Sequence, residues 1–268
     1  MALKPKVYID GQSGTTGLQI RERLEKRSDI ELLRIDEDKR HDSAERKKFL
    51  NAADVAFLCL PDDGAREAAA MVENPDTCII DASTAHRTAE GWTYGFPELS
   101  GEQRAAIQAS RRIANPGCHA TGLISSTAPL VRMGILPADY PVSSFSLTGY
   151  SGGGKKMIAQ YEAKERSEEL DAPREYGLNQ QHKHLKEMMA VTGIENAPAF
   201  MPISSDFYSG MEVTVPLTAA QLHGTAADIA RVYGETYRGP VVRWAAHPAE
   251  AAWAEVPAVA AVREVDAV

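Results

Sequence analysis

Cys118 stands in the run Asn115-Pro116-Gly117-Cys118-His119-Ala120-Thr121-Gly122, after a Pro-Gly turn and directly before a stretch patterned as a long helix. A thiol in the first turn of a helix meets unpaired backbone N–H groups and the positive end of the helix dipole, and both favour thiolate over thiol. The chemistry on offer is nucleophilic attack from sulfur. A nucleophile of this kind works with an acid and base partner. His182 and His184, two apart and framed by Lys183 and Lys186, are suited to that work, and at least one of them is expected to move a proton. Metal binding is the other chemistry of a His-x-His pair, but no third ligand stands nearby and the cysteines lack ligand spacing, so no metal is expected. Lys155 and Lys156 follow the glycines Gly152, Gly153 and Gly154. That run reads either as a flexible linker or as a compact pocket for an anion, and the anion pocket is preferred.

A second chemistry lies in Gly11-Gln12-Ser13-Gly14-Thr15-Thr16-Gly17. Glycines at three-residue spacing let a backbone turn sharply and approach a pyrophosphate, while the helix that follows points its N–H groups at the anion. The spacing is G-x-x-G-x-x-G rather than the commoner G-x-G-x-x-G. The strand before it and the helix after it make a dinucleotide site the favoured reading. Asp36 closes the next strand about 20 residues on, where an acid holds the ribose 2′-hydroxyl of NAD. Arg34, Lys39 and Arg40 flank it, and such cations suit the 2′-phosphate of NADP. The residues alone leave NAD and NADP both open.

The elements that must position these groups alternate in type. Val7 to Ile9, Ile30 to Ile35, Val55 to Leu60 and Cys78 to Ile80 read as strands; Ser43–Asn51, Asp63–Val72 and Glu102–Ser110 read as helices, as does the stretch carrying Gly17, Ile20 and Leu24. Alternation of this sort implies a parallel sheet with right-handed crossovers and ligands at the carboxyl ends of its strands. From about Pro141 the rhythm changes, with half-buried strands expected at Val142–Leu147 and Met211–Leu217. The fold class is therefore α/β: a Rossmann-like nucleotide-binding domain over residues 1–117, then a second, α+β domain for catalysis and dimerisation over 118–244, with 245–268 packing back on the first.

Composition narrows the function. The chain has 268 residues, 44% of them hydrophobic, and a net charge of −8, which argues against a nucleic-acid surface because such surfaces carry a dominant basic stripe. No apolar run reaches the roughly 18 residues of a membrane span, and Met-Ala-Leu-Lys-Pro-Lys lacks a signal-peptide core. Three cysteines without paired spacing fit a reducing compartment. A cytoplasmic protein is expected, with Cys59 and Cys78 in the core.

The blocks Tyr8 to Leu24, Leu58-Cys59-Leu60-Pro61-Asp62-Asp63, Asp81-Ala82-Ser83-Thr84-Ala85-His86-Arg87, Tyr94-Gly95-Phe96-Pro97-Glu98-Leu99, Asn115-Pro116-Gly117-Cys118, Gly149 to Lys155 and His182-Lys183-His184 resemble, in this order, the short form of N-acetyl-gamma-glutamyl-phosphate reductase. The resemblance implies NADPH-dependent reduction of an acyl phosphate to a semialdehyde in arginine biosynthesis, on the fold of aspartate-semialdehyde dehydrogenase. Small molecules, the acyl phosphate or aldehyde and free phosphate, are then the partners, and a homo-oligomer, dimer or tetramer, is expected. It further implies Cys118 as the thioester nucleophile and a proton donor within His182 and His184, with His182 preferred. Gly11, Ser13, Gly14, Thr15, Thr16, Gly17, Arg34 and Arg40 would hold the cofactor and Ser83 would face its nicotinamide. Arg87, Asn115 and Lys155 would hold the substrate or its oxyanion.

Two departures accompany the resemblance. The family has Tyr-Pro after the cysteine, whereas this chain has His119-Ala120, which sets an extra imidazole beside the thiol. The family's closing Asp-Asn-Leu-Gly-Lys-Gly-Ala run has no counterpart in the alanine-rich residues 245–268, which implies an incomplete nicotinamide pocket. An aspartate-semialdehyde dehydrogenase, a catalytically impaired nucleotide-binding protein and a cysteine hydrolase are the competing readings.

Overall fold

Near-continuous apolar strands are what a sheet covered on both faces requires, and Val7, Tyr8 and Ile9 are each at most 5% exposed. They belong to β1 (Lys6–Asp10), the first element in the computed structural model, which describes residues 3–12 and 14–244. Ser13, the side chain of Thr15 and residues 245–268 lie outside the described residues, and with them the expected packing of the chain's last segment. The chain continues through α1 (Thr15–Glu25), β2 (Glu31–Leu33), α2 (Ser43–Ala52), β3 (Val55–Leu58), α3 (Asp62–Met71), β4 (Cys78–Asp81), β5 (Thr93–Tyr94), α4 (Gly101–Ala109) and β6 (Arg112–Ala114). The six strands form one parallel sheet in the order β2-β1-β3-β4-β6-β5. Tyr8, Ala56, Leu58 and Ile79 from the sheet pack with Leu50 of α2 and Ala65 and Ala68 of α3 in one buried cluster. Local chemistry starts these helices. The Asp42 carboxylate accepts the N–H groups of Ala44 and Glu45, each at 2.9 Å, to cap α2. Asp62 and Asp63 in the first turn of α3 complement its dipole.

The second unit begins with α5 (Cys118–Arg132), then β7 (Ser143–Gly149), α6 (Gly154–Tyr161), β8 (Arg174–Glu175), α7 (His184–Thr192), β9 (Ala199–Ser205), β10 (Met211–Thr214) and α8 (Ala226–Thr236). Its mixed sheet runs β10-β7-β9-β8, with β7 and β9 parallel over seven residue pairs and the two outer pairings antiparallel. The division falls at Pro116 and Gly117, with residues 98–101 grouped with the second unit. This is the Rossmann-like sheet with a second α+β unit that the alternation implied.

Several expectations need correction. The second strand is three residues long, not six, because Glu31–Leu33 is an edge that pairs with β1 alone while Ile35 turns into the core at 6% exposure. The third strand stops at Leu58, and β10 stops at Thr214. β9 escaped notice because Pro202 sits in its middle, and proline argues against an interior strand. The glycine run, for which a linker is the less favoured reading, forms a 3-10 turn at Tyr150–Gly153 that runs straight into α6. Cys59 and Cys78 are half-buried rather than core. Among the described residues no helix is long and apolar enough to cross a membrane.

Candidate functional site

The turn after β1 is built by its glycines. Gly11 has φ +86°, and a Cβ there would stand 2.3 Å from the Cys59 carbonyl oxygen, so any larger residue would collide with backbone. The Gly14 N–H closes the turn on Gly11 O at 3.0 Å, and Gly14 O then accepts the Leu18 N–H at 2.9 Å to start α1. Gly17 presses against the turn, where a Cβ would lie 2.3 Å from Gly11 O. Gly14 differs: its hypothetical Cβ meets no backbone atom closer than 3.3 Å. The fold therefore needs Gly11 and Gly17, while Gly14 faces a cavity of about 480 Å³. Thr16 is exposed in the first turn of α1.

That cavity is lined by Gly11, Gln12, Gly14, Ile35, Arg40 and His41, among others. Of the flanking cations singled out in the sequence, Arg40 reaches the wall, where its Nε lies 3.2 Å from His41 Nε2 and its guanidinium also pairs with Glu37. Arg34 instead donates to Glu25 at 3.0 Å, and Lys39 lies 3.8 Å from Asp36. Behind the glycine turn, Arg46 donates to the Asp10 carboxylate at 2.9 Å, with both residues under 9% exposed. Sequence reasoning missed Arg46 and His41, because nothing local to α2 announces that its arginine turns inward. The glycine backbone, a helix N-terminus and Arg40 fit the demands of a dinucleotide.

The loop after β4 is organised by Asp81, which is fully buried. Its carboxylate accepts the Ser83 N–H at 2.9 Å and the Ser83 hydroxyl at 2.7 Å, and lies 2.6 Å from His86 Nδ1. His86 stacks on Trp92 with ring centroids 3.9 Å apart. The Ser83 hydrogen is thus committed to Asp81. Arg87 Nε donates to the Asn115 carbonyl at 2.9 Å, which brings together two residues the sequence singled out.

In the second unit Cys118 is exposed at the amino end of the 15-residue α5. The N–H of Gly117, immediately before it, donates to Glu187 Oε2 at 3.0 Å. Glu187 is 1% exposed, and its other oxygen lies 3.9 Å from His184 Nε2. The spacing of His184 and Glu187 on one helix face could have revealed that pair, but its tie to Gly117 could not be read from the sequence. The His184 N–H donates to His182 Nδ1 at 3.2 Å, which leaves Nε2 as the nitrogen of His182 that carries its proton when neutral. A cavity of about 240 Å³ is lined by Cys118, His119, Tyr176, His182, His184 and Gly153. Cys118 and both histidines therefore share one chamber. Lys155 is exposed at the start of α6, next to the cavity glycines Gly152 and Gly153.

His119 is buried, its Nδ1 2.5 Å from Ser146 Oγ and its Nε2 2.7 Å from Tyr176 Oη. Burial, reinforced by neighbouring His182, holds its pKa down to about 4. Burial also pushes the Tyr176 phenol up to about 12, and the nearby Cys118 adds to the rise. Both residues are neutral at ordinary pH. Cys59 is likewise pushed up to about 12 by burial, with the Asp81 and Asp10 charges adding to it, so it stays a thiol. Among the described residues no group of three or more His, Cys, Asp or Glu could hold a metal ion.

Comparison with known proteins adds two matches to family models: "Semialdehyde dehydrogenase, NAD binding domain" over residues 6–107 and "Semialdehyde dehydrogenase, dimerisation domain" over residues 118–267. Curated relatives named N-acetyl-gamma-glutamyl-phosphate reductase include one from Mesorhizobium japonicum, 47% identical over 84% of this chain and 76% of the relative. One from Chelativorans sp. is 51% identical over 81% and 69%, and one from Brucella anthropi 46% identical over 93% and 82%. Among solved structures, aspartate semialdehyde dehydrogenase II of Vibrio cholerae, complexed with ASA, superposes with a TM-score of 0.61 at 15% identity, covering 88% of this chain and 80% of that one. The enzyme from Candida albicans, solved with NADP, gives 0.59 at 15%, covering 88% and 77%. These structures share the fold.

Proposed function

The chain belongs to the N-acetyl-gamma-glutamyl-phosphate reductase family, and from that premise we propose that it reduces N-acetyl-gamma-glutamyl phosphate to N-acetylglutamate semialdehyde with NADPH, releasing phosphate, as a cytoplasmic homo-oligomer in arginine biosynthesis. The observation that carries this reading is the chamber in which the exposed Cys118, at a helix N-terminus, meets His182 and His184.

Cys118 sulfur attacks the carbonyl carbon of the acyl phosphate, the C–O bond to phosphate breaks with its electron pair leaving on phosphate, and a thioester remains. The N–H groups in the first turn of α5 face the developing oxyanion. When bound, the reduced dinucleotide supplies a hydride to the thioester carbonyl. His182 Nε2–H donates a hydrogen bond to the resulting alkoxide and stabilises its charge until the C–O⁻ reforms a carbonyl and the C–S bond breaks with its electron pair on sulfur, which restores the thiolate and frees the aldehyde. Arg87, Asn115 and Lys155 are assigned to the anionic groups of the substrate, since a guanidinium grips an oxyanion in bidentate fashion. Gly11, Gly14, Thr16 and Gly17 are assigned to the pyrophosphate, with Arg40 to the 2′-phosphate. Ser83 is assigned to the nicotinamide side by its place at the end of β4.

The deciding assay is phosphate-dependent reduction of NADP with N-acetylglutamate semialdehyde, run beside aspartate semialdehyde. Turnover of the acetylated substrate that needs phosphate supports the proposal. Preference for aspartate semialdehyde, or no reduction of NADP, overturns it.

A further inference from the structure

His119 follows the thiol directly in the chain, and its ring is tied at both ends. A neutral imidazole has one donor nitrogen and one acceptor nitrogen. The Ser146 hydroxyl on β7 is fully buried and needs an acceptor for its hydrogen; the Nδ1 lone pair supplies one at 2.5 Å. The ring hydrogen then sits on Nε2 and donates to the Tyr176 oxygen at 2.7 Å. A phenol oxygen that already accepts turns its own O–H away from the imidazole. Tyr176 lines the chamber into which Cys118 opens.

We propose that His119 is a positioning residue of the thiol site: it relays the Ser146 hydroxyl to Tyr176 and turns the phenolic O–H toward the Cys118 sulfur, where that hydrogen bond stabilises the thiolate. The inference rests on the reading of Cys118 as the nucleophile. The other titratable groups facing the thiol are His182, in the segment before α7, and His184, in its first turn, with the Glu187 carboxylate behind His184. Tyr176 keeps its proton up to about 12, so it remains a donor throughout the range in which a thiol titrates.

The test is the rate of alkylation of Cys118 by iodoacetamide as a function of pH, read on the Cys118 peptide by mass spectrometry. The proteins are the wild type, Tyr176→Phe, His119→Phe, the double variant and His119→Gln, whose amide N–H still donates to Tyr176. Loss of one hydrogen bond to the thiolate should raise the midpoint by about one pH unit, about tenfold less thiolate below it, in both single aromatic variants. The double variant should rise no further, because both changes break one relay, and His119→Gln should return most of the shift. A purely structural His119 would lower the melting temperature and leave the midpoint of the folded protein where it was. An unmoved midpoint in His119→Phe, or additive shifts in the double variant, overturns the proposal. Where His119→Phe fails to fold, Tyr176→Phe decides, since it removes a single hydroxyl: an unmoved midpoint there overturns it too. Should wild-type Cys118 react no faster than Cys59 at neutral pH, the nucleophile reading itself fails and takes this inference with it.

Discussion

The peptide N–H of Gly117 ends on the carboxylate of Glu187, 3.0 Å away and 70 residues further along the chain. The contact fixes the turn that presents Cys118, and the same carboxylate stands beside His184. Glu187→Ala leaves a buried N–H without its acceptor, so a loss of roughly 1–3 kcal/mol in stability is expected. A displacement of the thiol of about 1 Å should lower turnover on the order of a hundredfold. Glu187→Gln keeps a carbonyl acceptor and should recover most of both losses. Denaturant melts paired with kcat for the two variants check this, and equal behaviour of alanine and glutamine would sink it.

Cys118 should carry the chemistry and the other cysteines should not. Cys118→Ser is expected to lose more than about a thousandfold in turnover, roughly 4 kcal/mol of barrier, with dinucleotide affinity unchanged. At neutral pH the exposed Cys118 should be alkylated well ahead of Cys59 and Cys78, whose pKa values burial raises. Peptide mapping after brief labelling measures it; serine at near-normal turnover would remove the nucleophile.

The glycines of the nucleotide turn should separate into two kinds. Gly14→Val should cost the fold far less than a change at Gly11, since its Cβ would stand 3.3 Å from Gly11 O and needs a shift of only a few tenths of an ångström, yet it adds a side chain beside the cavity and should abolish tight NADP binding. Gly11→Ala, at φ +86° and 2.3 Å from a carbonyl oxygen, should destabilise the fold itself. Thermal melts with and without NADP distinguish the two, and retained affinity in Gly14→Val would unseat the assignment of this loop.

Acid should act through His119. Its folded pKa of about 4 lies below the ordinary 6.5, so between those values the unfolded chain binds a proton that the folded chain refuses. Stability is therefore full above about pH 6.5 and falls as pH drops toward 4, by roughly 3 kcal/mol from this residue. His119→Gln, which cannot titrate, should show a shallower decline over the same window. Parallel urea midpoints for wild type and variant across that range would contradict the assignment.

What the sequence determined by itself was everything that local signals write. Gly11, Gly14 and Gly17 between a strand and a helix, Cys118 after Pro116-Gly117, and His182 with His184 are each defined by neighbours within a few residues, where turn, cap and dipole physics operate. The alternation of apolar runs was enough for the parallel sheet, since strands buried on both faces need unbroken hydrophobic stretches. Edge strands were misjudged, as in the shortened Glu31–Leu33, because their ends depend on one neighbour in space rather than on composition. Tertiary structure alone decided the partners of the buried polar groups: Asp10 with Arg46, 36 residues apart, Gly117 with Glu187, and His119 with Tyr176, 57 residues apart. A buried polar atom must find a partner, but which one is set by how the sheets and helices stack, and no local pattern carries that choice. For that reason Cys118 could be singled out from the sequence, whereas the Glu187 carboxylate beside its turn and the Tyr176 phenol in its cavity emerged only from the fold.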